Sequence, residues 1–293
     1  MTRPGRMLGV VLWVAGLVIG SRADRPVAPV PQFADGYRVV AADLHVHAYP
    51  GDGALPPWEL SHEAWRRRLD AVALTNHNQM LPVMLAAAVP VSQQALLIPG
   101  EEVTTPEYHM AAVGITQRVG WRYAVVDLAS QVHAQSGAAI AAHPDHAVWR
   151  AFDSQAIRAI DGVEAAHPSM DFKGPDYGDY VAFHARARAI KPRIAAIGST
   201  DFHDLAPLGE CRTYLFVRAL TGVGIVEAIR DGRTVACDAH GVTYGDPDLV
   251  RHVTGRCRAD ADWNPSGTAD RAGVVCALLG LLTIIVVGLR SES

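Results

Sequence analysis

The sequence predicts an α/β protein with a mostly parallel sheet, most simply a (β/α) barrel. Strand-like and helical segments alternate through the middle of the chain, as where "VVDLASQVHAQSG" is followed by "AAIAAHP". The stretch from residue 38 to residue 246 has the length of a slightly small barrel. Residues of metal-ligand type recur where the predicted strands end, which is where parallel barrels carry their sites.

Apolar runs, with proline or glycine at their ends, predict the order of strands and helices along the chain. A strand in "YRVVAADLH" precedes a helix in "PPWELSHEAWRRR", which has proline near its first turn. Buried strands are predicted in "DAVALTNH", "LLIPGEEV" and "YHMAAVGI", and the helix "VVDLASQVHAQSG" ends at glycine before the strand "AAIAAHP". Further along, "QAIRAI" precedes the strand "DGVEAAH", and "YGDYVAFHARARAI" precedes "RIAAIGSTDFH". The last elements are "TYLFV", the helix "GVGIVEAIRDG" and "RTVACD".

Composition indicates a globular protein with additional apolar segments. Hydrophobic residues make up 49% of the chain and charged residues only 19%, which excludes a disordered chain. The formal net charge of -4 argues against a broad basic surface. Nucleic acid held by phosphate contacts is therefore not an expected partner.

The first 23 residues have the layout of a secretory signal. Arg3 and Arg6 precede an apolar run from Met7 to Gly20, and small residues follow before Asp24. This order of charged, apolar and small residues predicts a signal peptide over residues 1–23, with an uncleaved anchor helix as the alternative. The proline-rich residues 24–37 are predicted to be a linker.

The end of the chain predicts a membrane anchor. Residues 272–289 contain no charged side chain and approach the roughly 20 residues needed to cross a bilayer. A buried core helix is the alternative interpretation. Residues 247–271 have no sustained period and are predicted to be a juxtamembrane stalk, which leaves residues 38–246 as the domain. The arginines near both ends place this domain on the extracytoplasmic side of the cell membrane.

The cysteines allow one disulfide bond in that location. Cys211, Cys237 and Cys257 would face an oxidising space, and Cys276 falls inside the apolar C-terminal run. No C-x-x-C spacing indicates a zinc site of the thiolate kind. The pairing stays open at this point.

Histidine and carboxylate residues at five predicted strand ends indicate a metal centre. His45 and His47 are two residues apart and therefore project from the same side of an extended strand. Two histidines alone decide nothing in a chain that contains 13. The other strand ends supply His77, Glu101 and Glu102, His143, and Asp201 and His203.

The ordered motifs resemble the polymerase-and-histidinol-phosphatase (PHP) superfamily. They are "DLHVHAYPGDG", "LTNHN", "PGEEVTT", "HMAAVGI", "AAHPD" and "GSTDFHD", and with "IVEAIRDGRT" they cover roughly residues 38 to 237. The resemblance implies a distorted (β/α)7-type barrel and a metal-dependent phosphoesterase, here a stand-alone exported member.

The resemblance also implies a set of nine ligands. Glu102 is the expected bridging carboxylate, whereas alternation turns Glu101 to the opposite face of its strand. The implied ligands are His45, His47 and Asp201 for a first metal, His109 and His143 for a second, and Asp52, His77 and His203 for a third.

One departure from the family pattern concerns the third metal. Asn76 stands where the family usually has aspartate, which could orient His77 and raise its basicity. Asparagine brings no charge, so a lower affinity for the third metal is expected. Ala48 and Gly51 replace the usual Thr and Ser of the first motif, and Asp43 is expected to be a structural carboxylate.

The ligand types indicate hydrolysis without a protein nucleophile. Imidazole and carboxylate ligands without thiolate suit two or three Zn, Mn or Fe ions. Such ions generate hydroxide from water and stabilise negative oxygens at phosphorus. We therefore expect phosphate ester hydrolysis on a small phosphorylated substrate, with hydrolysis of a carboxylic ester, amide or carbamate as the first alternative. A metal-binding ectodomain without catalysis is the second alternative.

Four further residues have a possible role near this chemistry. His167 could face the substrate, and Asp145 with His146 could take part in acid-base work. Arg233 could hold a phosphate, although a salt bridge is an equal expectation. Oligomeric state and substrate identity do not follow from the sequence.

Overall fold

The fold is described from a computed structural model of the chain. It describes residues 3–23, 31–89, 94–171, 179–204, 207–263 and 267–289. The chain divides into two compact units, one formed by Met1–Ala28 with Asn264–Ser293 and the other by Pro29–Trp263.

The second unit contains all of the described strands and most of the helices. The helices of the chain are α1 (Arg3–Ala23), α2 (Pro57–Arg66), α3 (Leu81–Ala88), α4 (Val125–Ala134), α5 (Ser154–Ala159), α6 (Tyr180–Ile190), α7 (Gly222–Arg230), α8 (Pro247–Ala261) and α9 (Thr268–Leu289). The strands are β1 (Gln32–Ala34), β2 (Tyr37–Val46), β3 (Ala71–Leu74), β4 (Leu96–Thr104), β5 (His109–Val113), β6 (Ala138–Ala141), β7 (Gly162–Ala166), β8 (Ala195–Gly198), β9 (Arg212–Val217), β10 (Thr234–Cys237) and β11 (Thr243–Gly245). Short 3-10 helices follow β6 and β7, at His146–Arg150 and Pro168–Asp171.

The strands form one mixed sheet that curls into a nearly closed barrel. Its order is β11-β10-β9-β2-β3-β4-β5-β6-β7-β8, and β1 pairs with β2 outside this path. Strand β8, at one end of this order, comes back to β9 where the Thr213 hydroxyl donates to the Gly198 carbonyl at 2.8 Å. Gly198 permits this approach, since a Cβ there would lie 2.3 Å from the Arg212 carbonyl oxygen. The predicted α/β barrel is confirmed at this level.

The prediction of a mostly parallel sheet is wrong. Pairing is parallel within β2-β3-β4 and within β6-β7-β8, but antiparallel where β5 joins β4 and β6. Pairing is also antiparallel from β2 through β9 and β10 to β11. The connection between β4 and β5 is too short for a parallel crossover, which needs a dozen or more residues.

Alternation along β2 divides its side chains between two cores. Val40, Ala42 and Leu44 pack in a cluster with residues of other strands and of α7. Val39 and Ala41 pack in a second cluster, beneath α2 and α8. Both faces of the strand are buried, so its polar residues need partners inside the protein.

The domain starts before the predicted boundary. Residues 24–30 of the expected linker lie outside the described residues. Gln32–Ala34, in the remaining part, forms β1 and pairs antiparallel with the start of β2. This part of the predicted linker is therefore a strand of the domain.

The domain also extends beyond residue 246, into the segment predicted to be a stalk. The Asp246 side chain accepts a hydrogen bond from Asp248 N and caps α8, in which Val253 and Cys257 are buried. Cys257 is disulfide-bonded to Cys237 of β10, which settles the pairing that the sequence leaves open. The unit boundary at Trp263 places Pro247–Ala261 in the domain.

The first unit consists of two apolar helices, α1 and α9, that pack against each other. A Cβ at Gly16 would lie 2.3 Å from Ala277 N, and one at Gly280 would lie 2.3 Å from Trp13 N. Cys276 Sγ also donates to the Leu12 carbonyl at 3.3 Å. The close approach of the two backbones therefore depends on glycine.

One helix of the described residues is long and apolar enough to cross a membrane by length and composition, at Pro4–Ser21. The apolar part of α9, Arg271–Val287, is shorter. Residues 272–289, predicted to be a transmembrane helix, thus lie in an apolar helix that does not reach this length, and the membrane anchor there stays a prediction.

Candidate metal centre

The candidate ligands converge because the parallel strands point the same way. His45 lies near the end of β2, and His47 follows that strand directly, with its backbone N–H donating to the Phe202 carbonyl at 2.9 Å. A bridge between His77 and Glu102 joins the segments that carry these two residues. Neighbouring strand ends thus deliver their side chains to one face of the sheet.

Four buried or nearly buried side chains form the centre of the site. The His47 imidazole Nε2 lies 3.0 Å from Asp201 Oδ1 and 3.3 Å from Glu102 Oε2. The His45 Nε2 lies 3.3 Å from the same Asp201 oxygen and 3.4 Å from the same Glu102 oxygen. The two Nε2 atoms are 3.3 Å apart. We call these four residues the central group.

The central group fits a tetrahedral metal ion. Metal–ligand bonds of about 2.0–2.1 Å give tetrahedron edges of about 3.3–3.4 Å, close to the separations observed. Glu102 Oε2 and Asp201 Oδ1 are buried, and the imidazole nitrogens that approach them are not oriented to form a hydrogen bond. Two buried carboxylate oxygens facing two imidazole nitrogens require a cation or protons between them.

Glu102 also connects the central group to two further histidines. Its other oxygen, Oε1, lies 2.7 Å from His109 Nδ1 and 3.1 Å from His143 Nε2. His77 Nδ1 lies 2.5 Å from Oε2, so His77, Glu102 and His109 form another group close enough to hold an ion. A bridging position for Glu102 is consistent with the resemblance.

A third group lies beside the central group and shares His47. His47 Nδ1 lies 3.0 Å from Asp52 Oδ1, and His77 and His203 each place Nε2 3.4 Å from Asp52 Oδ2. These four residues could together hold an ion. The structure thus brings all nine predicted ligands together, and adds His47 to the set expected around Asp52.

Asn76 contacts Asp52 rather than His77. Its side-chain nitrogen donates to Asp52 Oδ1 at 3.2 Å and to the Ala48 carbonyl at 2.8 Å, and its oxygen accepts from Ala48 N at 3.0 Å. His77 Nδ1 instead lies 2.6 Å from the Thr104 hydroxyl. In this chain residue 76 therefore holds the loop that carries Asp52 and does not orient His77.

A buried carboxylate on β7 supports the site and was not predicted from the sequence. Glu164 Oε1 lies 2.9 Å from His45 Nδ1 and 2.5 Å from the Ser199 hydroxyl. Its Oε2 accepts from the His143 backbone N–H. Glu164 is the sole charged residue of the strand "GVEAA", which is the signal that could have revealed it.

Asp43 is a structural carboxylate, as expected. It accepts hydrogen bonds from the Thr200 backbone and hydroxyl, from Gly209 N and from His45 N. Burial raises its pKa to about 6, against the lowering effect of these donors. Asp43 therefore ties the end of β2 to the loop that presents Asp201.

Two candidate ligands have strained backbones. His143 has φ of 22° and Asp201 has φ of 48°, in the region where residues with a Cβ are uncommon. Such conformations persist where the surrounding contacts hold them, and they cluster at functional sites. Here the Glu164 carboxylate accepts from the His143 backbone N–H, and the Asp43 carboxylate accepts from the backbone N–H of Thr200, the residue before Asp201.

The charges of the site stabilise one another. Burial alone would raise the pKa of Glu164, but His45 beside it lowers the pKa to about 2. Burial opposes the charge on His47 as well, yet Asp201 and Glu102 raise its pKa to about 9. Burial would also raise the pKa of Glu102 and Asp201, but His45 and the neighbouring histidines hold both well below their usual range.

Glu101 and Arg233 take structural roles. Glu101 pairs with Arg118 at 3.2 Å and accepts from Val119 N, on the face away from the central group, as alternation predicts. Arg233 Nη1 lies 2.7 Å from Asp231 Oδ2, which is the salt bridge expected as one of the two roles of this arginine.

His167 and Asp145 lie at the edge of the metal centre. The His167 ring lies 5.7 Å from that of His143, and its Nδ1 is 2.8 Å from the Ser169 hydroxyl. Burial lowers the pKa of His167 to about 4. Asp145 accepts from the Tyr180 hydroxyl at 3.4 Å, and that hydroxyl is 2.6 Å from Ser169 Oγ. His146 is exposed and lies edge-on to the Trp149 ring.

Comparison with solved structures identifies similar folds. A two-domain protein containing a predicted PHP-like metal-dependent phosphoesterase, from Bacteroides vulgatus, matches with a TM-score of 0.59 and 22% identity over 80% of this chain and 75% of that chain. PsfC from Pseudomonas syringae matches with a TM-score of 0.50 and 16% identity over 75% of this chain and 98% of that chain. No protein-family model matches the sequence, and no curated protein is significantly similar to it. The barrel therefore has the fold of a PHP-like protein, in agreement with the resemblance of the motifs.

Proposed function

We propose that the protein is a metal-dependent hydrolase that cleaves a phosphate ester of a small molecule. The observation that carries this proposal is the central group, in which Glu102 Oε2 and Asp201 Oδ1 are buried without hydrogen-bond partners. The adjoining groups share Glu102 and His47 with it, which suits a cluster of two or three divalent ions. The PHP-like fold supports the same chemistry.

The donor set fits Zn, Mn or Fe. Imidazole and carboxylate ligands without thiolate are typical of hydrolytic centres for these ions. A divalent ion bound there supplies an activated water and stabilises the negative oxygens of a displacement at phosphorus. Glu164 keeps His45 Nδ1 engaged, so that His45 presents Nε2 to the central group.

Side-chain exposure indicates where a substrate approaches. The side chains of His45, His47 and Glu102 are fully buried. Those of Asp52, His77 and His203 are 39%, 35% and 32% exposed. A small phosphorylated molecule is therefore expected to enter from the side of Asp52, with the buried side chains fixing the reacting end.

The direct test is hydrolysis by the full chain purified in detergent. We expect turnover of an activated phosphate ester in the presence of Mn or Zn, and its loss in the double variant His45→Ala with His47→Ala. The variant His62→Ala on α2, whose ring lies near Gln94 and Trp65 and outside the metal centre, is the control and should retain activity. Retained turnover in the double variant would contradict the metal mechanism.

A panel of substrates separates the phosphoesterase proposal from its alternatives. Aryl esters, amides and carbamates are offered under the same metal conditions. Preference for these compounds over phosphate esters would replace the phosphoesterase proposal by another hydrolase on the same centre. Stoichiometric metal binding without any turnover would instead support a metal-binding domain.

We further propose that the catalytic domain lies outside the cytoplasm and is held at the membrane by α1 and α9. The Cys237–Cys257 disulfide supports an oxidising compartment. The packing of α1 on α9 through glycines supports a retained N-terminal helix rather than a cleaved signal. The mass of the mature protein tests this point, since a chain that begins at Asp24 would contradict retention.

A further inference from the structure

Helix α3 turns an apolar face to solvent. The helix contains no charged residue, and the sequence has none from residue 78 to residue 100. Met80 and Pro82 are buried, whereas Leu81 and Met84 are 45% and 66% exposed. A helix without a polar face is normally buried on all sides. The exposed face of α3 therefore lacks the partner that its composition requires among the residues that the structure describes.

This face begins beside the metal centre. Strands β2 and β3 both end there, and α2 and α3 lead from those ends back to the start of the next parallel strand. His77 precedes the first residue of α3, Leu81, by four residues. The loop that carries Asp52 packs on the intervening segment, since a Cβ at Gly51 would lie 3.0 Å from Gln79 Nε2. The first turn of α3 is therefore at the metal end of the barrel.

Two aromatic side chains extend this apolar surface around the metal centre. Tyr49, in the loop that carries Asp52, is 60% exposed, and Trp58, in the first turn of α2, is 36% exposed. Helix α2 packs against α3, so the first turns of the two helices are neighbours. We call Tyr49, Trp58, Leu81 and Met84 the apolar rim.

The apolar rim lies on the open side of the metal centre. Its segments carry Asp52 and His77, whose side chains are 39% and 35% exposed, whereas those of His45, His47 and Glu102 are fully buried. A substrate that brings its phosphate to the ligands from this side places its organic part near the rim. Apolar surface on that part and on the rim would then leave water together.

The chemistry of the rim distinguishes between classes of alcohol. Apart from the Tyr49 hydroxyl and the Trp58 indole N–H, its side chains offer no polar group. A sugar or polyol placed there would give up hydrogen bonds to water without recovering them. An alkyl or aryl group has no such cost.

We propose that the apolar rim binds the organic part of the substrate, so that the preferred substrates are phosphate esters of alcohols that carry an alkyl or aryl group. This inference rests on the phosphoesterase function proposed above. It adds the class of alcohol, which the metal centre alone does not select.

The test compares hexyl phosphate with ethyl phosphate as substrates of the full chain in lipid-bilayer discs with Mn. Discs replace detergent because micelles would cover the rim. We expect kcat/KM to be about tenfold higher for the hexyl ester, and this preference to be lost in the double variant Leu81→Gln with Met84→Gln. The control Val223→Gln replaces a 71% exposed apolar residue of α7, in another part of the fold, and should keep the preference.

Binding of ethylphosphonate and hexylphosphonate, measured by calorimetry, separates this inference from the proposed reaction, because the C–P bond is not an ester. Tighter binding of hexylphosphonate that the double variant loses would support the rim even without hydrolysis of any ester, and only the phosphoesterase proposal would then fail.

Two results would overturn the inference. One is equal kcat/KM and equal affinity for the two chain lengths, which would leave a bilayer or another protein as the partner of the rim. The other is a preference for the hexyl compounds that the double variant retains. If the double variant does not fold, Met84→Gln decides alone, because Met84 is the more exposed of the two residues.

Discussion

Glu164 Oε1 lies 2.9 Å from His45 Nδ1, so a carboxylate of β7 fixes the ring of a candidate ligand on β2. Both side chains are fully buried. The contact leaves His45 Nε2 free to face Asp201 and Glu102. An orientation set in this way is part of the metal affinity of the site.

Substitution Glu164→Gln is expected to weaken metal binding by about 10- to 100-fold, because the amide brings no charge to His45. Zinc titration against a competing chelator measures the change. The control is Glu227→Gln on α7, a half-exposed carboxylate in a different part of the fold. Equal affinities in the two variants would show that Glu164 is only a packing residue.

Metal binding should release protons below about pH 9. Although burial disfavours its charge, Asp201 and Glu102 raise the pKa of His47 to about 9, so the ring is protonated at pH 7 without metal. The metal must displace this proton. The affinity for the metal should therefore fall about tenfold for each unit by which the pH is lowered below 9, for each proton released. Calorimetry in buffers of different ionisation enthalpy counts the protons, and a count of zero at pH 7 would contradict this assignment.

Substitution Asn76→Asp is expected to destabilise the metal-free domain by about 2 kcal/mol. It removes the donor to Asp52 and Ala48 and places a second negative charge beside Asp52. Denaturant unfolding in chelator measures the loss. Added metal should restore part of the stability, since the cation offsets the repulsion; a variant as stable as the original in chelator would refute the expectation.

Removal of the Cys237–Cys257 bond is expected to cost about 3 kcal/mol, because the bond closes a loop with a separation of 20 residues. The double variant Cys237→Ser with Cys257→Ser should unfold at lower denaturant concentration than the unaltered chain. Addition of a reducing agent should then lower the stability of the unaltered chain and leave the double variant unchanged. Equal responses to the reductant would exclude a structural bond.

Packing of α1 on α9 can be tested with two leucine substitutions of glycine in α1. A side chain at Gly16 meets the α9 backbone, whereas a Cβ at Gly20 would meet no described atom within 4 Å beyond its chain neighbours and its own helix backbone. Both variants carry a protease site inserted at residue 26. After cleavage in detergent, the N-terminal fragment of Gly20→Leu should stay bound to the remainder of the protein. It should separate for Gly16→Leu, and retention in both variants would contradict the glycine contact.

The sequence predicts the site better than the sheet. His45 and His47 could be placed because a two-residue spacing fixes a common face, and Asp201 because strand ends of a barrel converge. The sequence does not reveal that β5 runs antiparallel to its neighbours, because the apolar pattern of a strand is the same whichever way the strand runs. Only the short connection from β4 decides the direction. Glu164 lies in the middle of β7, so the pattern of ligand-type residues at strand ends does not reveal it.

Helix α8 illustrates a different difficulty. Its buried face is narrow, with Val253 and Cys257 among charged residues, so its period is weak in the sequence. Its position depends on the bond to Cys237, a contact between distant parts of the chain. Local patterns do not encode such a partner.

Glu102 belongs to two of the three candidate groups, and His47 links the central group to the third. Ions in such a cluster are thermodynamically coupled, because each changes the charge and orientation of ligands that its neighbour uses. The coupling is reciprocal, so each ion alters the affinity of the other by the same factor. The number of ions held by such a cluster would then depend on the free-ion concentration around the protein as well as on its ligand count.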